Sequence, residues 1–335
     1  MPKRLLGHRF PRLLAASGAV VLSLVLAGCG SDDEQVTAGL ITKQETNPFF
    51  VTMREVAEQA AEEHNVNLLT ATGKTDVDNA SQVAALADMT ARGAKGILIT
   101  PADSTAIVPA IDRARQAGVL VIALDTPTNP QSATDALFAT DNREAGELIG
   151  RYAKAKASGS NPKIAMLDLA PGITSGQLRH QGFLRGFGIS EGDPEIVGAV
   201  NTEGNRVKAR AGMEQLLRAH PDINIVYTIN EPAAFGAVDA LQAAGKDDGD
   251  VILVSVDGGC DAIKKGIRTG VIDATAQQYP ENMARKGVEA IAEAARGGSK
   301  PSGYLDTGVE LITDSPAAGV PSRDEAFGVR NCWGK

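Results

Sequence analysis

The sequence predicts an α/β protein built as two similar doubly wound parallel-sheet lobes with a cleft between them, and three observations carry that prediction. From residue 36 to about 295, apolar strand-like runs alternate with amphipathic helical patterns through short connections, the pattern of parallel strands covered on both faces. The runs 96–125 (GILITPADSTAIVPAIDRARQAGVLVIALD) and 224–257 (NIVYTINEPAAFGAVDALQAAGKDDGDVILVSVD) share one plan: a strand, a proline-containing turn, an alanine-rich helix ending at glycine, and a strand ending in aspartate. A single sheet of all these strands would be unusually wide, so two sheets of five to six strands are expected.

The 335 residues, 43% hydrophobic and 22% charged, describe a globular chain long enough for two domains. A formal charge of −8, with no basic stripe beyond residue 12, argues against a nucleic-acid partner.

Taken in order, residues 1–28 read as a signal peptide, with Lys3, Arg4, Arg9 and Arg12 ahead of an apolar run at 13–26. That run is short for a bilayer, which needs about 20 residues. Leu26-Ala27-Gly28-Cys29 resembles the bacterial lipobox, which implies lipid on the Cys29 sulfur and cleavage before it. Cleavage removes four basic residues and no acid, leaving a more acidic chain. Residues 29–35 then form a solvated tether, and the lipid holds the chain at the outer face of a membrane, since stable anchoring takes more than one acyl chain.

Strands are expected at 37–42, 67–72, 96–100, 120–125 and 137–140, and again at 163–168, 195–200, 223–229, 251–257 and 273–278. Helices fill the gaps at 49–64, 79–92, 105–117, 143–158, 176–188, 205–219, 232–244, 259–268 and 281–297. At the first connection, GLITKQETNPFF (39–50), an apolar strand stops at polar residues, and Pro48 opens a helix patterned by Val51, Met53, Val56, Ala57 and Ala60. Asn47, Phe49 and Phe50 thus stand at a strand's carboxyl end, where open α/β sheets bind ligands. An amide beside an aromatic face suits a sugar: the amide bonds hydroxyls and the ring covers C–H groups. In the same turn, Lys43 and Glu45 form either a solvated pair or a pocket rim.

Asp125, followed by Thr126, and Asp257 occupy equivalent strand ends. Each caps its own turn or, as a charged acceptor, takes bonds from adjacent ligand hydroxyls. Arg179 opens an apolar helical run (Phe183, Phe187), and a surface ion pair fits it as well as a site does. Asn230 and Gln278 are strand-end amides that serve either their own backbone or a ligand. The roles of Asn142, Arg206 and Glu231 stay open. Cys260 and Cys332 form a pair that in an exported chain is more often bridged than free, so a disulfide is expected to tie the tail to the strand end near Asp257.

Enzymatic chemistry finds little footing. Beyond the signal peptide the histidines are His64, His180 and His220, and neither HExxH nor GxSxG occurs. GITSG (172–176) lacks the nucleophile spacing, and GKD (245–247) lacks the rest of a phosphate loop. Amides and an arginine around the carboxylates point to binding, because a general acid needs its pKa raised. No catalytic residue, metal or cofactor is expected.

Over residues 36–315 the chain resembles the periplasmic sugar-binding proteins of ABC importers, ribose and galactose type (type I, two-lobed). The resemblance rests on TNPFF, ILITPAD, VIALDT, ATDN, RHQGF, INEPAA, SVDGG and ATAQQYP in that order. Fructose-binding members are most similar, through LITK, ALDTPT, SVDGGC, QQYP and the terminal CWG. The resemblance implies ligand contacts at Asn47, Phe49, Phe50, Asp125, Arg179, Asn230, Asp257 and Gln278, with Lys43 and Thr126 beside them. It also implies an N-terminal lobe of 36–139 plus 279–305 and a C-terminal lobe of 140–278 plus 306–335. The chain would cross between them near Thr140, Gln278 and Asp306, and the hinge would close over ligand. Where ribose binders have an arginine this chain has Thr126, and where they have a second stacking aromatic it has Gly204. That departure disfavours ribose and suits a fructose-like hexose or ketose, or a sugar alcohol. A monomer delivering this ligand to an ABC permease is the implied function, and a sensory protein presenting its closed form to a receptor or sensor kinase is the alternative. A repressor of related fold would need a DNA-binding segment where the export signal stands.

Overall fold

Each sheet is assembled from consecutive strand–helix units, described in a computed structural model for residues 35–334 apart from 247 and 248. The expected signal peptide and Cys29 lie outside the described residues. In the first lobe come β1 Val36–Thr42, α1 Pro48–Glu63, β2 Val66–Thr72, α2 Asn79–Ala91, β3 Gly96–Ile99, α3 Val108–Gln116, β4 Leu120–Leu124 and β5 Ala136–Ala139. In the second come α4 Asn142–Lys156, β6 Ile164–Asp168, α5 Thr174–Phe187, β7 Ile196–Asn201, α6 Arg206–Ala219, β8 Ile225–Thr228, α7 Glu231–Ala243, β9 Ile252–Asp257 and β10 Ala274–Gln277. The chain then returns to the first lobe for α8 Pro280–Ala295 and β11 Gly303–Asp306, and ends in the second with β12 Glu310–Ile312 and α9 Glu325–Asn331.

The sheets have the orders β11-β5-β4-β3-β1-β2 and β12-β10-β9-β8-β6-β7, six strands each. Every neighbouring pair is parallel except β10 with β12. The strands read as unbroken apolar runs because helices cover both faces: β3 and β4 are buried throughout. Between the sheets the chain passes three times, from β5 to α4, from β10 to α8 and from β11 to β12.

Sequence periodicity locates the first ten strands and departs from the structure at three places. The expected helix at 259–268 is a short π-helical turn, Ala262–Ile267, after the glycine pair that follows β9. β11 and β12, of four and three residues, fall below the length at which period-two alternation is readable. The short α9 is held by tertiary contact, its Gly328 lying against Ile312 and Ile263.

Two features fix the site's framework. Helices α4 and α5 touch backbone to backbone: a Cβ on Gly146 would lie 2.1 Å from the Arg179 carbonyl oxygen, and one on Gly182 2.2 Å from that of Arg143. Glycine is therefore required at this crossing, which carries Asn142 and Arg179. The tail after α9 returns to β9 through the Cys260–Cys332 disulfide, sulfurs 1.90 Å apart and Cα atoms 4.9 Å apart. Beyond that bridge Trp333 is buried in the apolar cluster of the first lobe, with Phe49, Phe50 and Met283. Among the described residues no helix is long and apolar enough to cross a membrane.

Candidate ligand-binding site

The carboxyl ends of the two sheets meet in one buried polar cluster. Asp125 follows β4 and Asp257 ends β9, and both hold left-handed backbone, φ +59° and +102°. Non-glycine residues occupy that region at a cost, and such strain collects at functional sites. Between the two carboxylates lies Arg179 of α5, 4% exposed. Its Nη2 donates to Asp125 Oδ1 at 3.2 Å and to Gln278 Oε1 at 3.3 Å. Nη1 donates to the Ile229 carbonyl at 3.1 Å and stands 3.7 Å from Asp257 Oδ1, while Nε donates to Asn142 Oδ1 at 2.7 Å. The surface-pair reading of Arg179 is thus overturned, and Asn142 becomes its support, anchored in turn to the Asp125 carbonyl at 2.9 Å.

The remaining candidates gather around this core. Gln278 Nε2 donates to Asp257 Oδ1 at 2.7 Å. Asn47 and Asn230 each cap a helix, accepting from the amides of Phe49 at 2.9 Å and Ala233 at 3.1 Å. Asn230 also donates to the Gly204 carbonyl at 3.3 Å. Lys43 is fully buried and donates to Thr126 Oγ1 at 2.9 Å. Burial lowers its pKa, while Asp125 and Asp76 oppose that shift. Thr126 gives its one proton to Asp125 Oδ2 at 2.7 Å, so Ser175, 2.8 Å away, donates to it. Phe49 and Phe50 meet edge to face at 5.4 Å, and the Lys43 ammonium lies 5.8 Å from the Phe50 ring centre.

Four residues in or beside the cluster escape a sequence reading. Asp76, in the turn after β2, is buried and accepts from Gln44 Nε2 at 2.6 Å, and burial raises its carboxyl to about 6. It faces the other lobe: a Cβ on Gly204 would lie 2.9 Å from Asp76 Oδ2 and 2.7 Å from Asn230 Nδ2. Gly204, itself at φ +62°, is thus packed against side chains of both lobes, and any side chain there would have to displace them. An acidic residue in the turn after β2, at the same end of the sheet as Asp125, was the available signal for Asp76. Gln44 lies in the loop already singled out, and Ser175 sits inside GITSG. Trp333 had no signal beyond its place in CWG.

The open residues also resolve. Glu231 is buried and accepts from the Gly259 amide at 2.9 Å and the Ala262 amide at 3.2 Å. Burial, then the nearby Asp257, pushes it up to about 8. Glu45 and Arg206 lie outside the cluster, pairing with Arg54 and Asp239. His180 is likewise apart, clamped between Asp168 and Glu191 at 2.8 Å each, and those bonds raise it to about 9. A cavity of about 870 Å³ beside it, around Leu169, Leu184 and Val200, is separate from the strand-end cluster.

The lobes are latched across the cluster. Ser104 donates its amide to the Gly172 carbonyl at 2.9 Å and accepts at Oγ from the Thr174 amide at 3.1 Å. Thr126–Ser175, Asp125–Arg179 and Asn142–Asp125 cross the same seam. Chemically the cluster offers acceptors, amides, two cations and an aromatic wall, with no group of nucleophilic class set against a free base. Among the described residues no group of His, Cys, Asp and Glu is arranged to hold a metal.

A family described as the periplasmic binding protein domain matches residues 38–299. The chain belongs to the periplasmic binding protein family. A ribose import binding protein of Escherichia coli is 31% identical over 286 residues, 85% of this chain and 93% of its own. A D-apiose import binding protein of Actinobacillus succinogenes is 30% identical over 291 residues, 86% and 90% of the respective chains. Among solved structures, an ABC transporter solute binding protein of Agrobacterium vitis with bound D-fucose superposes with a TM-score of 0.75 at 26% identity, covering 86% of this chain and all of that one. One of Mycobacterium smegmatis with bound glycerol gives 0.77 at 26%, covering 90% and all. The two-sheet arrangement expected from the sequence is thus the type I fold of this periplasmic binding protein, whose family is extracytoplasmic.

Proposed function

We propose that the protein captures a monosaccharide, a fructose-like hexose or ketose, or a sugar alcohol, and delivers it to the transmembrane subunits of an ABC importer. The observation that carries this is the Asp125–Arg179–Asp257 array, buried where the two sheets' carboxyl ends meet and strained at both aspartates. Carboxylates accept from paired hydroxyls, amides at Asn47, Asn230 and Gln278 read both donors and acceptors, and Phe49 or Phe50 covers an apolar C–H face. The named relatives import ribose and apiose, and the solved neighbours hold fucose and glycerol, all polyhydroxylated.

Capture proceeds by hinge closure, with the lobes 36–139 plus 279–305 and 140–278 plus 306–335 moving about the three crossings. Because the contacts come from both lobes, ligand binds the closed form better and shifts the population toward it, and the closed form is what the permease reads. The protein acts as a monomer, without enzymatic turnover, held at the outer face of the membrane by lipid on Cys29, with Cys260 and Cys332 oxidised.

The test is a thermal-shift screen against pentoses, hexoses, ketoses and linear polyols, followed by calorimetry. A ligand at a hundredfold excess over its Kd adds about 2.7 kcal/mol to stability. A shift with one stereochemical set, lost in Asp257→Ala, supports the assignment. No shift with any of them removes it.

A further inference from the structure

The tail holds the chain's only tryptophan, and that residue touches both halves of the site. Trp333 is 3% exposed. Its ring meets Phe49 edge to face at 5.4 Å and 79°, so the aromatic wall of the first lobe continues into the tail. Its Nε1 donates to the Gln278 carbonyl at 2.7 Å, the residue whose side chain links Asp257 to Arg179. Its own carbonyl accepts from the Cys260 amide at 2.8 Å, next to the disulfide. The turn that receives the tail is closely packed: a Cβ on Gly259 would lie 3.0 Å from the indole and 2.7 Å from Glu231 Oε2.

We propose that Trp333, carried on the disulfide-tied tail, is a positioning residue of the ligand site, setting Phe49 for the ligand and coupling that wall to the second lobe. This rests on the sugar-binding reading. Phe49 follows the helix cap Asn47, so its backbone is fixed, but its ring has no polar handle and is oriented only by what packs on it. Phe50 supports one edge, and Trp333 supports another from the opposite lobe. The tail thereby joins the lobes by aromatic packing, beside the polar seam and the three chain crossings.

The experiment compares full-length wild type, Trp333→Phe and Trp333→Ala by calorimetric titration with D-ribose, D-allose, D-fructose and D-tagatose. Tryptophan emission is followed in the wild type before and after reduction of Cys260–Cys332. The expected result is at least a tenfold weaker affinity in Trp333→Ala, with partial rescue in Trp333→Phe, which keeps a ring on Phe49 but lacks the N–H. In the oxidised wild type the emission changes with the same midpoint as binding. Reduction shrinks that change and weakens affinity, an effect a merely stabilising tail would not produce. Wild-type affinity in Trp333→Ala, or in both Trp333→Phe and the reduced protein where the alanine variant fails to fold, overturns the inference alone. A wild type that binds none of the four sugars, nor any in the wider screen, overturns the sugar reading and this inference with it.

Discussion

Every donor group of the Arg179 guanidinium ends on a named acceptor: Nε on Asn142, Nη1 on the Ile229 carbonyl, and Nη2 on Asp125 and Gln278. Lysine cannot reproduce that fork. Arg179→Ala would leave Asp257 without its cation and Asp125 with Lys43 alone, 3.9 Å away, a loss of about 3–5 kcal/mol for a broken buried pair. We expect it to unfold at markedly lower denaturant concentration and to bind no sugar. Arg179→Lys should lose binding with a smaller stability change, as chemical unfolding and calorimetry will show. The buried carboxyls add a pH dependence. Asp76 and Glu231 titrate near 6 and 8, above the ordinary 3.8 and 4.5. A raised carboxyl binds its proton more tightly in the folded chain, so its contribution is full below the unfolded value and is lost as pH rises through the folded one. The melting temperature should therefore fall between about pH 5 and 8. Glu231→Gln should flatten the upper part of that slope, though it forfeits one of the two backbone bonds; scanning calorimetry across the range decides it.

At the scale of elements, the α4–α5 crossing decides where Arg179 stands. Four glycines (Gly146, Gly150, Gly182 and Gly186) let the two backbones touch, and at each a Cβ would fall 2.1–2.4 Å from a carbonyl oxygen of the other helix. Gly182→Ala must separate the helices, at a cost of about 1–3 kcal/mol for overpacking. It should also weaken sugar affinity by displacing Arg179, while Gly188→Ala, whose Cβ meets nothing, is strained only at its φ of +85° and should leave affinity unchanged. Paired melting and titration of these variants separates the site effect from the fold effect. The βα turns do the remaining positioning: Asn47 and Asn230 spend one side-chain oxygen each on a helix cap, which orients the amide nitrogen for other partners.

At the scale of the molecule, two lobes share one polar cluster and one seam, so the site exists as a unit only when both are in place. The proposed lipid anchor is testable separately from binding. Cys29→Ser should leave sugar affinity untouched while moving the protein from the membrane fraction to the soluble one. Fractionation with mass spectrometry of the amino-terminal peptide would check this, and an unlipidated Cys29 in the wild type would remove the anchor.

The sequence by itself determined the architecture, because strand-helix alternation and the 96–125 and 224–257 repeat are local patterns that survive without tertiary information. It also located the strand-end polar residues, since a carboxyl strand end is a site in this class of fold whatever its partner. Only the tertiary structure decided which of those residues act together. Arg179 reads as an ordinary helical arginine until α5 is packed on α4. Asp76 and Gly204, 128 positions apart in numbering, are neighbours only because the two sheets pack end to end. Trp333 gains its place from a disulfide and a ring contact with Phe49, at the other end of the chain. Periodicity reports which face of an element is buried, whereas a contact between distant elements depends on how whole layers pack, and no local pattern encodes that.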